Sequence, residues 1–295
     1  MRIVTFALLA MTAAPAAAQE TYALKWSLKE GDKFFANNLT EMEMNMMVMG
    51  MPIEIKMDIS AVQRFKVTAV KKDSTTIEMT ILSMDMKAGA LQNIPGFGGL
   101  TERMRGSTIT AILDENMSVT KIQGYDKFIE NVAGDDEAAK QVLKQQFSEA
   151  TLGQMYTQVF SFGNSKPVKI GDTWQRNEKM AVSGFDAGVK MKYKLDSVTN
   201  GLAKMGWTGD MTFKAGDTIP GLPPGLKLDK FDMKVDKFGG TVKFDTKAGR
   251  LVEGTTNADM NATIGFAANG NSVEMTMKIK MKQSTTIGEK NPVKD

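Results

Sequence analysis

Ile53-Glu54-Ile55-Lys56-Met57-Asp58-Ile59-Ser60-Ala61-Val62-Gln63-Arg64-Phe65-Lys66-Val67-Thr68-Ala69-Val70 is the stretch that decides the fold. Its odd positions are apolar apart from Gln63, and its even ones are mostly polar: Glu54, Lys56, Asp58, Ser60, Arg64, Lys66 and Thr68. Successive strand residues point to opposite faces, so this period of two describes a strand with one dry face and one wet face, as in antiparallel sheets. At about 3.3 Å per residue the run would extend roughly 60 Å if straight. That exceeds a typical strand, and strands of such length belong to strongly curled sheets or barrels.

The pattern recurs down the chain. Val189, Met191, Tyr193 and Leu195 alternate with Lys190, Lys192, Lys194 and Asp196. Val273, Met275, Met277, Ile279 and Met281 alternate with Glu274, Thr276, Lys278, Lys280 and Lys282. The lysine rows suit a solvated face, protection against edge pairing, or contact with an anionic surface. In places the phase slips by one. Met42, Met44 and Met46 give way to Met47, Met49 and Met51 around Gly50-Met51-Pro52, which suits a hairpin turn. Ile77, Met79 and Ile81 give way to Leu82, Met84 and Met86, the signature of a β-bulge.

One segment departs from this pattern. Tyr125 to Val132 and Asp135 to about Tyr156 read as helix, with Asp135-Asp136-Glu137 at an N-terminal turn and a stripe of Ala139, Val142, Leu143, Phe147, Leu152 and Met155. It is a connector or a plug on the apolar face. On either side the same plan appears twice. Lys29-Glu30-Gly31-Asp32-Lys33-Phe34 matches Lys169-Ile170-Gly171-Asp172-Thr173-Trp174, and Met86-Lys87-Ala88-Gly89 matches Phe213-Lys214-Ala215-Gly216. Ile94-Pro95-Gly96-Phe97 then matches Ile219-Pro220-Gly221-Leu222, and Arg105-Gly106-Ser107-Thr108-Ile109 matches Phe238-Gly239-Gly240-Thr241-Val242. Conserved order and spacing favour duplication over convergent turn chemistry. The fold expected is mostly β: duplicated, curled antiparallel sheets forming a half-barrel or incomplete barrel, with a helical segment between the halves. The expected division is a signal peptide at 1–18, a first β repeat at 19–124, a helical connector at 125–165, a second β repeat at 166–288 and a tail at 289–295.

The signal peptide rests on Arg2, the short apolar run Ile3 to Ala10 and the small residues Ala16-Ala17-Ala18 before Gln19. The apolar run falls well short of the roughly 20 residues a membrane span needs. The chain is therefore expected to be exported, periplasmic or extracellular, with no transmembrane segment in its mature form. Its 295 residues include 24 methionines but no cysteine and no histidine, which excludes thiol nucleophiles, histidine-based triads and zinc fingers. Lys+Arg 37 against Asp+Glu 34 leaves +3, too balanced and dispersed to suggest nucleic acid. Asp32 and Asp172 recur, but an Asp beside Gly is turn chemistry before it is catalysis.

The methionines admit three readings: core filling, an adaptable apolar surface facing a cavity or partner, and copper(I) or silver binding through soft thioethers. The two Pro-Gly loops are flexible at glycine and pre-bent at proline, and either cap a cavity or tuck onto a core edge.

The signal peptide, the paired Gly-Asp-x-aromatic segments and the glycine-led strands resemble a family of secreted bacterial proteins catalogued as a domain of unknown function. Long curled strands with a helical cover are also similar in architecture to the periplasmic lipoprotein-localisation carriers, a likeness that implies a hydrophobic cargo. The function expected is non-enzymatic binding of a lipid-like or hydrophobic small molecule on the apolar concave face. The candidate residues are Met44, Met46, Met49, Met57, Ile94, Phe97, Met191, Ile219, Leu222 and Met277, with no catalytic residue, metal or cofactor. The alternatives are a structural or interaction protein of the cell envelope and, third, a copper(I) binder.

Overall fold

The computed structural model describes residues 20–48, 50–87, 89, 99–160, 162–164, 166–182, 185–215, 227–268 and 271–293. The expected signal peptide, Met49 and all four candidate residues of the Pro-Gly loops (Ile94, Phe97, Ile219, Leu222) lie outside these residues.

Five strands form the first half: β1 (Lys33–Val48), β2 (Met51–Val70), β3 (Ser74–Lys87), β4 (Thr108–Asp114) and β5 (Val119–Gln123). Six form the second: β6 (Thr173–Val182), β7 (Phe185–Thr199), β8 (Leu202–Ala215), β9 (Lys227–Asp245), β10 (Arg250–Ala268) and β11 (Asn271–Gly288). They make one antiparallel sheet in the order β5-β4-β3-β2-β1-β11-β10-β9-β8-β7-β6, with β5 and β6 at its edges. The halves are thus continuous, joined where β11 returns to β1 in a register running from Phe35 opposite Gly288 to Val48 opposite Met275.

The local signals act as their chemistry dictates. Gly50, at φ 80, stands at the β1–β2 turn, and Met42 faces Met57 across the hairpin. The phase slip after Ile81 is a bulge: Val62 pairs with Ser83 and Gln63 with Ile81, leaving Leu82 without a register partner on β2. The two Gly-Asp turns repeat in detail. Gly31 (φ 91) and Gly171 (φ 95) hold left-handed conformations that favour glycine. Asp32 Oδ2 accepts from the Lys29 N–H at 2.7 Å, as Asp172 Oδ2 does from the Lys169 N–H at 2.8 Å. The same turns dock on the neighbouring strand through Gly31 N–H to Val67 O and Gly171 N–H to Leu195 O, 2.9 and 2.8 Å. Beyond them Phe34 stacks on Phe65 and Trp174 on Tyr193, at centroid distances of 5.3 and 5.6 Å.

The helical segment is α1 (Leu100–Met104), which precedes β4, and then α2 (Tyr125–Ala133), α3 (Glu137–Gln146) and α4 (Glu149–Phe160) between the halves. The single helix expected from Asp135 to Tyr156 is divided. Ser148 accepts the Thr151 N–H on its Oγ at 3.1 Å and so caps a new helix. α4 packs against both edge strands, β5 and β6, and so fills the gap of the unclosed sheet. Tyr156 is fully buried and donates to the Ile109 carbonyl at 2.6 Å. Phe160 packs edge-on to Phe65 at 5.6 Å, and Trp26 of the N-terminal segment lies 4.9 Å from it. The main core therefore lies between α4 and the inner face of the sheet.

Candidate functional site

The inner face changes character along the strands. On β1 it runs from buried Phe34 and Ala36 through half-buried Asn38 and Thr40 to half-buried Met42, Met44 and Met46. Cross-strand register extends each zone sideways. Asn38 lies opposite Ala61 and Thr285, and Thr40 opposite Ile59 and Gln283. The Asn38 amide donates to Gln63 Oε1 at 3.0 Å, and Thr285 donates to Asn38 Oδ1 at 2.6 Å. This polar belt divides the aromatic core from an apolar apron.

The apron is built of rows. Met57, Met42, Met281 and Ala258 form one, followed by Ile55, Met44, Ile279 and Met260, then by Ile53, Met46, Met277 and Ala262. Ala258 and Ala262 are buried, but the methionines stay partly exposed and Ile53 is 42% exposed. The helices pack mainly on β3 to β6, which leaves these rows beyond their main contacts. From Met281 to Val273 the apron runs about 26 Å along β11. On the outer face Lys280 lies opposite Glu43 and Asp259, and Lys282 opposite Glu41. That β11 lysine row is a ladder of mixed charge.

Where belt and apron meet, a partly open cavity of about 190 Å³ lies between α4 and the second half of the sheet. Val189, Met191, Tyr193, Trp207, Phe238 and Met281 form apolar walls, and Gln154, Thr157, Glu178, Gln283 and Thr285 supply polar groups. The walls owe their shape to glycine: a Cβ at Gly209 would come within 2.6 Å of the Phe238 ring, which meets Trp207 edge-on at 4.9 Å. Glu178 is the unexpected member. It shares the inner-face phase of β6 with Trp174, and its partner Arg176 lies 3.5 Å away. Both side chains are largely buried, at 19% and 16% exposure. Burial pushes the Glu178 carboxyl above its ordinary range, and the Arg176 guanidinium opposes the shift. Arg176 also donates to the Gly163 carbonyl at 3.2 Å, so it is tied to the segment after α4.

Of the residues expected to bind a ligand, Met191 lines the cavity. On the apron Met57 shares the row of Met281, which lines the cavity, Met44 lies one row further out, and Met46 and Met277 lie two rows out. A volume of about 700 Å³ borders Met46, Ile53 and Met277, but also Asn45, Glu54 and Lys278 of the opposite face. Space that touches both faces of one layer of strands is open surroundings, not an enclosed cavity. The expectation omitted Glu178, Tyr193, Trp207 and Phe238. The signal for Glu178 was present in Trp174-x-Arg176-x-Glu178-x-Met180, where charges occupy the apolar phase of a strand.

Among the described residues no group of three or more His, Cys, Asp or Glu is placed to hold a metal ion, and no helix is long and apolar enough to cross a membrane. Asp32 and Asp172 accept the hydrogen bonds that close their turns.

No curated protein matches the sequence. Among solved structures, one of lipovitellin, titled for its lipid–protein interactions, aligns with TM-score 0.47 and 8% identity over 91% of this chain and 26% of that one. The present chain thus spans about a quarter of the lipovitellin chain. The outer membrane protein OprG from Pseudomonas aeruginosa aligns with TM-score 0.21 and 8% identity over 90% of this chain and 99% of that one. A DUF1329 family protein from Desulfovibrio piger aligns with TM-score 0.14 and 10% identity, covering 90% and 88%. Likenesses this distant carry no functional argument. The model of DUF6263, a family of unknown function, matches residues 64–249, well over half of the chain, and the protein belongs to that family.

Proposed function

We propose that this is an exported, non-enzymatic protein that binds an amphipathic, lipid-like molecule on the inner face of its sheet. One observation carries the reading: the apolar rows that lead out of the cavity at Met281 remain partly exposed, although they occupy the dry phase of their strands. Contiguous exposed apolar surface of this kind marks a binding site in a soluble protein. The cavity alone is too small for the whole ligand, because pockets for drug-sized molecules measure roughly 300–1,000 Å³. It suits one end of a longer molecule whose chain lies along the apron. Methionine fits that task, since its unbranched thioether adapts to chains of varied shape. Export is the compartment in which such a carrier meets lipid, and the charged and apolar segments before Gln19 support it.

The test is native mass spectrometry and solvent extraction of the full chain, purified from its own host without detergent. The expected result is an adduct near one amphiphile per chain that extraction releases. A bare mass with nothing extractable, and no uptake of an added fluorescent fatty alcohol, would count against the proposal.

A further inference from the structure

Glu178 is the one acid that lines the cavity among the described residues, and neither lysine nor arginine lines it. Thr157 commits its hydroxyl proton to the Gly153 carbonyl at 3.2 Å, and Thr285 commits its own to Asn38 Oδ1 at 2.6 Å. Each then has only oxygen lone pairs left to offer. Glu178, when ionised, accepts only. The nearby cation is Arg176, which borders a separate small cavity beside Leu24 and Trp26 and is held there by Gly163. Arg176 thus compensates the Glu178 charge from behind and does not line the ligand cavity.

Resting on the reading above, we infer that the ligand's polar head is a hydrogen-bond donor without negative charge, an alcohol or an amine, and that Glu178 is the residue that excludes carboxylate and phosphate heads. An ammonium head carries three N–H donors to share among the oxygens of Glu178, Thr157 and Thr285, and an alcohol head carries one. An anionic head would face a carboxylate in a partly desolvated space, where like charges repel far more strongly than in water. Simple hydrophobic binding predicts no such discrimination, because chain burial is indifferent to the head's charge.

The experiment titrates the full chain with decanol, decylamine and decanoate at pH 7 below their micellar concentrations. Fluorescence of Trp207, which lines the cavity, reports binding. Decanol and decylamine are expected to bind at least tenfold more tightly than decanoate. Glu178→Gln is expected to improve decanoate binding at least tenfold relative to decanol. The wild-type panel stands on its own if the variant folds poorly. Decanoate binding as tight as decanol overturns the inference and leaves the proposed function standing. Failure of all three probes to bind overturns both.

Discussion

Tyr193 couples the site to stability. Its ring is buried between Trp174 and Trp207, and burial pushes its phenol up to about 12 from an ordinary value near 10. A raised folded-state value means that the neutral form is the one the fold accepts. The resulting stability is present in full below pH 10 and is lost as pH rises from 10 to 12. The loss is on the order of 2 kcal/mol. Tyr156 is shifted in the same direction by burial and adds to the decline. Urea midpoints measured across this window should fall more steeply for the wild type than for Tyr193→Phe, and equal slopes would contradict the assignment. At this scale the sequence was partly legible. Paired Gly-Asp turns announce themselves, because φ near 90° and an Asp acceptor are strictly local requirements. The belt of Asn38, Gln63 and Thr285 was not, because each reads alone as a polar lapse in an apolar phase and only cross-strand register brings them together.

Single elements follow their periods closely, since a strand's two faces are set by sequence parity alone. The β1–β2 hairpin and the bulge at Leu82 sit where the phase breaks. The helical segment was less legible, because Ser148 competes for backbone N–H groups in a way that an apolar stripe does not reveal. Register also resolves what the methionines can do. Met42 stands between Met57 and Met281, so three thioethers share a row. If they serve as adaptable apolar surface, leucine should replace them. The triple variant Met42→Leu, Met57→Leu and Met281→Leu should lose less than about 1.5 kcal/mol per site, as volume-conserving swaps do. Its affinity for decanol should stay within about threefold of wild type by fluorescence titration. Abolished binding in a folded variant would instead point to thioether chemistry, which leucine cannot supply.

Across the whole molecule the decisive feature is the β1–β11 seam, and no local pattern announces it. Parity says that β11 has an apolar face; only the closing of the sheet sets Phe35 beside Gly288. The seam and α4 together tie the halves, one by a ladder of backbone hydrogen bonds and the other by a plug across both edges. Phe160 provides the means to test whether this makes one cooperative unit. Its ring packs on Phe34 and Phe65 of the first half and on Trp26, all within 6.1 Å between centroids. Phe160→Ala should cost about 3–5 kcal/mol, the usual range for a large buried ring. In two independent halves that loss would be confined to β2 and β3. In one cooperative sheet it must also reach β7 and β8, because opening the first half removes β1 from β11 and exposes a long unpaired edge. Native-state hydrogen exchange on peptides from both halves reads the difference directly. We expect protection in β7–β8 to fall in step with that in β2–β3, and unchanged protection in β7–β8 would show that the seam does not transmit the loss.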